Sequence, residues 1–561
     1  TTPVRSARLL ALAVVLALAA SACGPGSSRE SPEPALKPGG ALNVAIVAPE
    51  SVPAQGSKTA SIDPSRASSR SAMLVLKQIC DPLVGFDPTT GALTPGAAES
   101  WTIAPDAKKI TFTLRGGLKF HTGREVTASD YVFSMSRFVH PQNGSPLHFL
   151  LERVAGYREM REGRASELAG VRALDRRSLE VNLSEPFAEL PAVLAHPAAG
   201  SAIPKEEVDK GAESFGAKPI CTGPYALAGP WNPAREIKLV RYGDYGGSST
   251  VYAGEGVGFA DQINFRIVPD IQAGYLLLQQ AEVQVAEVPP PRLLEARRRP
   301  LDVDAQTNGL VAYIGFPLRK PPFDNADFRR ALAGALDRRE IVEDLLGRSR
   351  RLAGGFLPPT AGSDTGESAC RQTLPPTENL KSARAALTAS GVNVAETNLN
   401  IHFNNGTSGN QIWLGKVAAQ WKAGLGVAST LAPFPRTFQE YLDFLAAGSA
   451  DGPFRLAWSV DFPSPEALLV PLFSSGALDN LTGYSNPTFD EAIRRARGAP
   501  DNKARQRAYG EAEQILCRDL PIIPMWFGLN HVGFSSSVRS AAKGRVDVFG
   551  DPRLRELGTV S

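Results

Sequence analysis

The sequence has few of the residues that most often bind metal ions. Five cysteines and six histidines occur among its 561 residues. No two cysteines form a C-x-x-C pair, and none lies at metal-ligand spacing beside a histidine. His140 and His148 flank a loop that supplies no third ligand. We therefore expect neither a metal site nor another cofactor.

Neither sign of charge is in excess. The chain has 60 Lys and Arg residues against 57 Asp and Glu residues, which gives a formal net charge of +3, and it has no long basic run. A nucleic-acid-binding domain is expected to carry such a run or a basic patch, so nucleic acid is not an expected partner. With 43% hydrophobic and 21% charged residues, the composition is that of a globular protein. Its length indicates two or three domains.

Short catalytic motifs are missing as well. The sequence contains no G-x-x-x-x-G-K-[ST], no H-E-x-x-H and no G-x-S-x-G. These motifs identify, in turn, a phosphate-binding loop, a zinc-dependent hydrolase and a serine nucleophile on a strand-to-helix turn. We therefore expect a protein that is not an enzyme, and an enzyme of the cell envelope remains the alternative.

Long apolar runs are confined to the N-terminus. Arg5 and Arg8 precede the run "LLALAVVLALAA" (Leu9–Ala20), which is too short to span a bilayer comfortably and has the proportions of a secretory signal. No later segment is uninterrupted and apolar over the length that a bilayer requires. We therefore expect the rest of the chain to be exported.

The residues after this run resemble the signal of a bacterial lipoprotein. "SACG" places Cys23 after small side chains, where its thiol would be acylated and become the mature N-terminus. A plain secretory signal with an incidental cysteine is the alternative. We expect a signal peptide over residues 1–22 and a flexible Pro-, Ser- and Gly-rich tether over residues 23–38. The lipid would hold the protein on the outer face of the cell membrane.

Four other cysteines remain: Cys80, Cys221, Cys370 and Cys517. An oxidising exterior favours disulfides, but four cysteines allow three connectivities. Four unpaired buried thiols are the alternative.

Hydrophobic periodicity predicts a mixture of strands and helices. "KITFTLRGGLKF" and "SLEVNLSEP" alternate apolar and polar residues, as half-buried strands do. "DNADFRRALAGALDRREIVEDLLG" has apolar residues near helical spacing, with Asn325 as the N-cap and Gly347 as the end. "YSNPTFDEAIRRA" and "KARQRAYGEAEQIL" predict two more helices near the end of the chain.

Several blocks of the sequence, in order, resemble one family. They are "KPGGALNVAI", "SIDPS", the block from Asp81 to Arg137 that begins "DPLVGFDP" and ends "VTASDYVFSMSR", then "CTGPYAL", "KPPFDNADFRRALAGALDRREIV", "AWSVDFPSPEALL", "LDNLTGYSNPTFDEAI" and "ILCRDLPIIPMW". Over roughly residues 38–540 the chain is similar to the extracytoplasmic solute-binding proteins of peptide ABC transporters, bacterial solute-binding protein family 5.

The resemblance implies an α/β fold of the periplasmic-binding-protein type II, in which two lobes close on a ligand about a hinge. The implied segments are lobe I, residues 39–80, 200–310 and 526–561; an extra domain inserted in lobe I, residues 81–199; and lobe II, residues 311–525. The two crossings between the lobes, at Leu310–Tyr313 and Met525–Trp526, would form the hinge.

These implied lobes also imply a pairing of the cysteines. Cys80 and Cys221 would lie in or beside lobe I, and Cys370 and Cys517 would lie in lobe II. A disulfide between the lobes would oppose closure. The resemblance therefore implies Cys80–Cys221 and Cys370–Cys517.

The resemblance places the ligand at the stretch "FRLAWSVDFPSP". Asp461, three residues after Trp458, matches an aspartate that holds the α-ammonium group of a peptide in the relatives. The backbone of Ala457 and Ser459 would pair with the peptide main chain. Arg455 matches an arginine near the ligand carboxylate.

Three residues outside that stretch complete the implied site. Ser69 and Arg70 match a region of lobe I that meets the ligand, and Tyr313 matches a position near the cleft. For Arg70, this match to the family is the only indication of a role in binding.

Structural roles are the alternatives for the residues of the stretch. Asp461 could organise the turn before Phe462 and Pro463 through its side chain. Trp458 could be a core residue alone. Arg455 could be a solvated residue at a strand edge.

The function that the resemblance implies is capture of peptides outside the cell and their delivery to the permease of an ABC transporter, by a monomer. The same fold also serves other solutes, including oligosaccharides, glycolipids and metal chelates, and a ligand-free envelope scaffold is a further alternative. The family's usual glycine before the tryptophan is Ala457 here, and its methyl group could narrow the cleft. Retention of Asp461 favours a peptide.

Overall fold

The structure of the protein is a computed structural model. It describes residues 39–51, 59–232, 235–245, 259–347, 349–361, 370–404, 409–499, 501–540 and 544–560. The predicted signal peptide, the predicted tether and Cys23 lie outside the described residues.

The strands, in chain order, are β1 (Ala41–Val47), β2 (Glu50–Ser51), β3 (Thr59–Ala60), β4 (Val84–Phe86), β5 (Leu93–Pro95), β6 (Ala98–Ile103), β7 (Lys109–Leu114), β8 (Val171–Ala173), β9 (Ser178–Asn182), β10 (Tyr225–Leu227), β11 (Glu236–Arg241), β12 (Gln262–Val268), β13 (Val285–Glu287), β14 (Leu301–Gly315), β15 (Arg350–Leu352), β16 (Asn398–Asn404), β17 (Ala428–Phe434), β18 (Phe454–Ser459), β19 (Ile522–Ser535), β20 (Val538–Ser540) and β21 (Leu557–Thr559).

The longer helices are α1 (Arg70–Ile79), α2 (Ala128–Val139), α3 (Ile271–Gln279), α4 (Ala326–Gly334), α5 (Leu380–Ser390), α6 (Asn410–Leu425), α7 (Phe438–Ala446), α8 (Glu466–Phe473), α9 (Pro487–Arg497) and α10 (Asn502–Asp519). Shorter helices and helical turns cover Pro141–Asn143, His148–Leu151, Tyr157–Arg161, Leu190–Val193, Pro197–Gly200, Lys205–Val208, Ala212–Ala217, Pro290–Arg292, Leu293–Ala296, Glu340–Leu345, Pro359–Ala361, Val394–Glu396 and Leu554–Glu556. Within the described part of the chain, no helix combines the length and the apolar character that a membrane span requires.

One large sheet organises the molecule. Its strand order is β10-β11-β12-β1-β13-β19-β14-β18-β16-β17, and β15 also pairs with β19. β1 and β12 are parallel, as are β16 and β17, whereas β14 and β19 are antiparallel. The predicted mixture of helices and strands is confirmed.

A separate sheet of four strands, β6-β7-β9-β8, lies within the residues predicted as the extra domain. In β7 the alternation predicted from sequence is present, because Ile110 and Phe112 are fully buried while their neighbours are not. Leu179 and Val181 are buried in the same way in β9. A continuous hydrophobic core includes residues of this sheet and of both halves of the large one.

The two halves of the large sheet are connected by its two longest strands, β14 of 15 residues and β19 of 14 residues. Their register is interrupted between Thr307 and Val311 and again between Ala312 and Tyr313. An interrupted ladder gives a strand pair a place to bend. The predicted hinge residues fall in these two strands, and the hinge and the boundaries of the lobes stay predictions.

Gly309 lies in the first interruption and is required there by its surroundings. Its φ is +78°, a conformation that L side chains rarely adopt. A Cβ at this position would lie 2.6 Å from Cγ2 of Val460. The close approach brings β14 against the end of β18, beside the stretch that the sequence singles out.

The single helix predicted from Asn325 to Gly347 is wrong in its middle. Asn325 caps α4 as predicted, since its side chain accepts hydrogen bonds from two amides of the first turn. The helix then ends at Gly334, and a separate helical turn follows at Glu340–Leu345. Between them Arg338 points inward and is 1% exposed. Its guanidinium hydrogen bonds stabilise a break that hydrophobic periodicity alone does not predict.

Two disulfides have the implied pairing. Cys80 and Cys221 are bonded with their Cα atoms 5.0 Å apart, and Cys370 and Cys517 with theirs 5.1 Å apart. The alternative of four free thiols is therefore wrong for this structure. Each bond closes a long loop, because the paired cysteines are 141 and 147 residues apart in sequence.

Candidate ligand-binding site

A cavity of about 320 Å³ lies where the two halves of the large sheet meet. Its lining includes Arg70 and Lys77 of α1, Ser459 of β18 with Asp461 just beyond it, and Asp551 near the C-terminus. These side chains come from distant parts of the sequence. The cavity therefore depends on the assembled fold, which hydrophobic pattern cannot show.

Asp461 faces this cavity without a partner. Among the described residues it forms no hydrogen bond and no ion pair, and it is only partly exposed. Burial raises the pKa of its carboxyl to about 6. An unpaired carboxylate that has lost part of its water is costly, so the site is complete only with a cation or hydrogen-bond donor.

The turn that follows Asp461 is stabilised by other groups. The amide of Ser464 donates to the carbonyl of Phe462 at 2.7 Å, and the Ser464 hydroxyl accepts from the amide of Glu466 at 3.1 Å. The Asp461 side chain takes no part in these bonds. The turn-forming role considered for it therefore has no hydrogen bond to support it.

The cations of the cavity are already paired. Arg70 donates to Asp551 and to Glu287, each at 2.8 Å. Lys77 donates to Asp551 at 2.6 Å and to Asp547 at 2.8 Å. Burial alone would raise the pKa of Asp551, but Lys77 and Arg70 hold it below its usual value. Asp461 is thus the charged residue of the lining whose charge no described neighbour balances.

One edge of β18 beside the cavity is open. β18 pairs with β14 along its length, with Ser459 opposite Leu310 and Ala457 opposite Ala312. Its pairing with β16 is limited to Phe454. From residue 456 to residue 459 the edge that faces away from β14 has no partner among the described strands. Such an edge offers main-chain donors and acceptors to an extended ligand.

The other predicted ligand-binding residues lie outside the lining of the cavity. The indole N–H of Trp458 donates to the carbonyl of Ala467 at 2.7 Å, which fixes the ring beside the turn. Tyr313 is 3% exposed and belongs to the core. Ser69 caps α1, because its hydroxyl accepts from the amide of Ala72 at 3.2 Å.

Arg455 is partly buried on the face of β18 that also carries Ala457 and Ser459. Its Nη1 donates to Oδ1 of Asn404 at 3.1 Å, and its Nε is buried without a partner. Burial lowers the pKa of this guanidinium. The structure therefore brings Asp461, Ser459 and Arg70 together in the cavity and leaves Arg455 beside it.

Several lining residues were missed by sequence reasoning. Lys77 had a usable signal, because helical spacing places it one turn after Met73 and two turns after Arg70, on the same face of α1. Asn308 and Asn530, whose side chains are hydrogen bonded to each other at 2.9 Å, had none. They meet only because β14 and β19 pair.

The chain belongs to the bacterial extracellular solute-binding proteins, family 5, whose middle region matches residues 92–480. It is 28% identical to the periplasmic oligopeptide-binding protein OppA of Escherichia coli over 487 residues, 85% of this chain and 86% of the relative. It is 26% identical to the probable deoxycholate-binding periplasmic protein YgiS of Escherichia coli over 478 residues, 83% of this chain and 85% of the relative. Proteins of this family bind solutes and are not enzymes.

Solved structures show the same fold. The murein tripeptide-binding protein MppA in its unliganded open form has a TM-score of 0.81 at 24% identity, with 94% of this chain and 98% of that chain covered. Haemophilus influenzae OppA in complex with the peptide RPPGFSPFR has a TM-score of 0.65 at 24% identity, with 94% and 100% covered. The predicted periplasmic-binding-protein fold of type II is confirmed.

Proposed function

We propose that this protein binds peptides outside the cell and delivers them to the permease of an ABC transporter. The observation that carries the proposal is the unpaired carboxylate of Asp461 in a cavity whose own cations are paired. A free peptide N-terminus is an ammonium group that would supply both the missing charge and three hydrogen-bond donors. Asp461 would anchor that end of the ligand.

The open edge of β18 supplies the second part of the proposal. An extended peptide that added a strand beside residues 456–459 would satisfy the free main-chain groups on both sides. Ala457 and Ser459 would contribute the backbone contacts, and Arg455 would approach the carboxylate of the ligand. Main-chain pairing gives affinity without reading side chains, because every peptide offers the same groups.

Closure about β14 and β19 would complete the site. We propose that lobe I with the extra domain and lobe II rotate about the interrupted register of these strands. Arg70, on the lobe I side, would meet the ligand on closure.

The chemistry of the cavity favours a peptide over an anionic solute. A bile acid, which YgiS is named for, carries a carboxylate, and Asp461 would repel it. A scaffold without a ligand would leave the buried charge of Asp461 unbalanced. We therefore rank a peptide above both alternatives.

The test is calorimetric titration of the purified protein with alanine peptides of three to five residues and with the same peptides N-acetylated. Acetylation removes the ammonium group and keeps the main chain. We expect free peptides to bind and acetylated peptides to bind at least roughly 30-fold more weakly, since the partner charge is left unpaired. Equal binding of both forms would contradict the role of Asp461.

The attachment to the membrane is part of the proposal. Acylation of Cys23 would add two chains of buried CH₂ groups at about 0.8 kcal/mol each, which gives stable anchoring. The variant Cys23→Ala should therefore be released from the cell while keeping its peptide affinity. Retention of this variant at the membrane after a salt wash would show that the anchor is something other than this lipid.

A further inference from the structure

A second cavity, of about 670 Å³, lies beside β15 and β19 and is lined by arginines. Five arginines and one acidic residue contribute to it: Arg338, Arg339, Arg350, Arg351, Arg371 and Glu343. The protein as a whole has a net charge of only +3. The charge in this cavity is therefore a local feature of the fold.

The cavity lies on the opposite face of β19 from the peptide site. Asn530 of β19 lines the first cavity, and Leu529, its neighbour in the strand, lines the second. Successive side chains of a strand point to opposite faces of the sheet. The two cavities are thus separated by one strand and are different sites.

Arg338 forms a fixed wall of this second cavity. Its guanidinium donates to the carbonyl oxygens of Ala353 and Leu374, each at 2.6 Å, and of Pro524 at 2.9 Å. None of these acceptors carries a full negative charge, and no ion pair of Arg338 occurs among the described residues. Two further bonds, from Nε and Nη2 to the carbonyl of Pro375 at 3.3 and 3.2 Å, occupy the remaining N–H donors. Arg338 therefore contributes to the cavity a positive charge that no described residue balances, but no free hydrogen-bond donor.

Arg350 and Arg371 add positive charge that no described residue balances. Arg350 is partly buried, and its Nη1 donates to the carbonyl of Ser349 at 2.9 Å. Neither arginine forms an ion pair with any residue in the described ranges. Arg371 follows Cys370, whose disulfide with Cys517 ties that wall to α10. A partly buried cation without a carboxylate is costly unless an anion completes its surroundings.

We propose that this arginine cavity is a binding site for a ligand that carries phosphate. Guanidinium groups match the oxygens of phosphate in paired hydrogen bonds, and several of them can share one phosphate group. A single carboxylate is satisfied by one bidentate arginine and would leave the other of Arg350 and Arg371 without a balancing charge among the described residues. The volume accommodates more than one phosphate group, so a diphosphate or the headgroup of an anionic lipid shares the required chemistry.

The test compares two double variants with equal loss of charge. Arg350→Gln with Arg371→Gln alters the arginine cavity, and Arg158→Gln with Arg172→Gln removes two exposed arginines that line neither cavity. The purified protein is titrated with inorganic pyrophosphate at fixed ionic strength, because salt screens surface charge. In parallel, sedimentation is measured with vesicles of phosphatidylglycerol and of phosphatidylcholine.

We expect the parent protein to bind one of the two probes saturably, with 1:1 stoichiometry. The affinity should fall at least about tenfold per removed guanidinium in the Arg350→Gln, Arg371→Gln variant and should be retained in the control variant. Pyrophosphate binding with this pattern indicates a soluble ligand. Binding to phosphatidylglycerol vesicles alone, with the same dependence on the variants, indicates a lipid headgroup. Absence of binding to either probe, or equal binding by both variants, overturns the proposal. If the double variant of the arginine cavity fails to fold, the same titrations are made with Arg371→Gln alone. This single variant should fold, because the Arg371 side chain is exposed.

Discussion

The two cavities on either face of β19 differ in how their charges are balanced. In the first, Arg70 and Lys77 are paired with carboxylates and one acidic side chain, Asp461, is left over. In the second, Arg350 and Arg371 have no ion pair within the described residues. The number of charged residues does not distinguish a ligand site from an ordinary surface here. What distinguishes it is a charge that no described residue balances. This charge is negative in the first cavity and positive in the second.

The cavities also differ in how they are assembled. Arg70 and Asp551, which line the first, are 481 residues apart in sequence. The second is built from residues 338–376 with Leu529 of β19 added. We expect the first cavity to change when the predicted lobes close, because it lies between them. All of the second cavity's lining except Leu529, which follows the predicted crossing at Met525–Trp526, belongs to predicted lobe II, so we expect its shape to depend less on closure than that of the first.

The largest expected effect is a loss of peptide affinity that leaves pyrophosphate binding unchanged, which would show that the two cavities bind different ligands. Asp461→Asn keeps the shape of the side chain and removes its charge, so the affinity for a free peptide should fall roughly 30-fold or more, or about 2–5 kcal/mol. N-acetylation of the peptide should do little further harm to this variant, since the interaction is already lost. Pyrophosphate binding should not change. Calorimetric titration of both ligands measures all three.

A matched control for that variant is Asp443→Asn. Asp443 is an exposed carboxylate on α7, in predicted lobe II, and lines neither cavity. Its loss changes the net charge by the same amount. A similar loss of peptide affinity in both variants would mean that long-range charge, not contact with Asp461, holds the peptide.

The next effect is a dependence of peptide affinity on pH. The pKa of Asp461 in the free protein is raised to about 6 by burial, so the carboxyl becomes neutral as the pH falls through that value. The peptide ammonium stays charged over this range. Affinity should therefore be constant near pH 7 and fall by about tenfold per pH unit well below 6. The profile of Asp461→Asn should be flat, and a parallel decline in it would assign the pH dependence to another group.

Much of the fold was accessible from sequence, for a physical reason. Alternation in β7 and β9, the cap at Asn325 and the two final helices are local patterns, and the structure confirms them. The break at Arg338 was not accessible. It depends on carbonyl groups of residues that are distant in the chain, and no local pattern records them.

The site was accessible only in part. The resemblance selected Asp461 and Ser459, which line the cavity, but also Tyr313, which is buried in the core. The pairing of Arg70 with Asp551 and Glu287 depends on tertiary contacts across the whole chain. Which charges are neutralised is decided by those contacts. The sequence could therefore indicate charged residues and not which of them is left unpaired.

A smaller effect concerns the other end of the peptide. Arg455 already donates one bond to Asn404, so it has only part of its guanidinium free for a ligand carboxylate. Arg455→Gln should lower the affinity for a free peptide by about fivefold, which is less than the usual effect of breaking a fully buried ion pair. The same peptide with an amidated C-terminus should bind the parent and the variant alike. A loss that is equal for acid and amide would indicate a structural role of Arg455 in β18.

The smallest effect is on the free energy of unfolding. Whether Asp461→Asn raises or lowers it distinguishes a charge that serves ligand binding from a charge that stabilises the fold. The folded pKa of Asp461, about 6, lies above the unfolded value near 3.9, so between these values the folded state binds more protons. The free energy of unfolding of the parent should therefore fall as the pH rises from about 4 to 6, relative to Asp461→Asn. Above pH 6 the variant should be more stable by about 1 kcal/mol, a discounted value because the side chain retains some solvent. Near pH 3 the two proteins should have equal free energies of unfolding.

Urea denaturation of both proteins at pH 3, 5 and 7.5 without ligand measures the difference in their free energies of unfolding. A variant that is less stable than the parent at pH 7.5 would show that Asp461 stabilises the fold, and the unpaired charge would then no longer mark a ligand site.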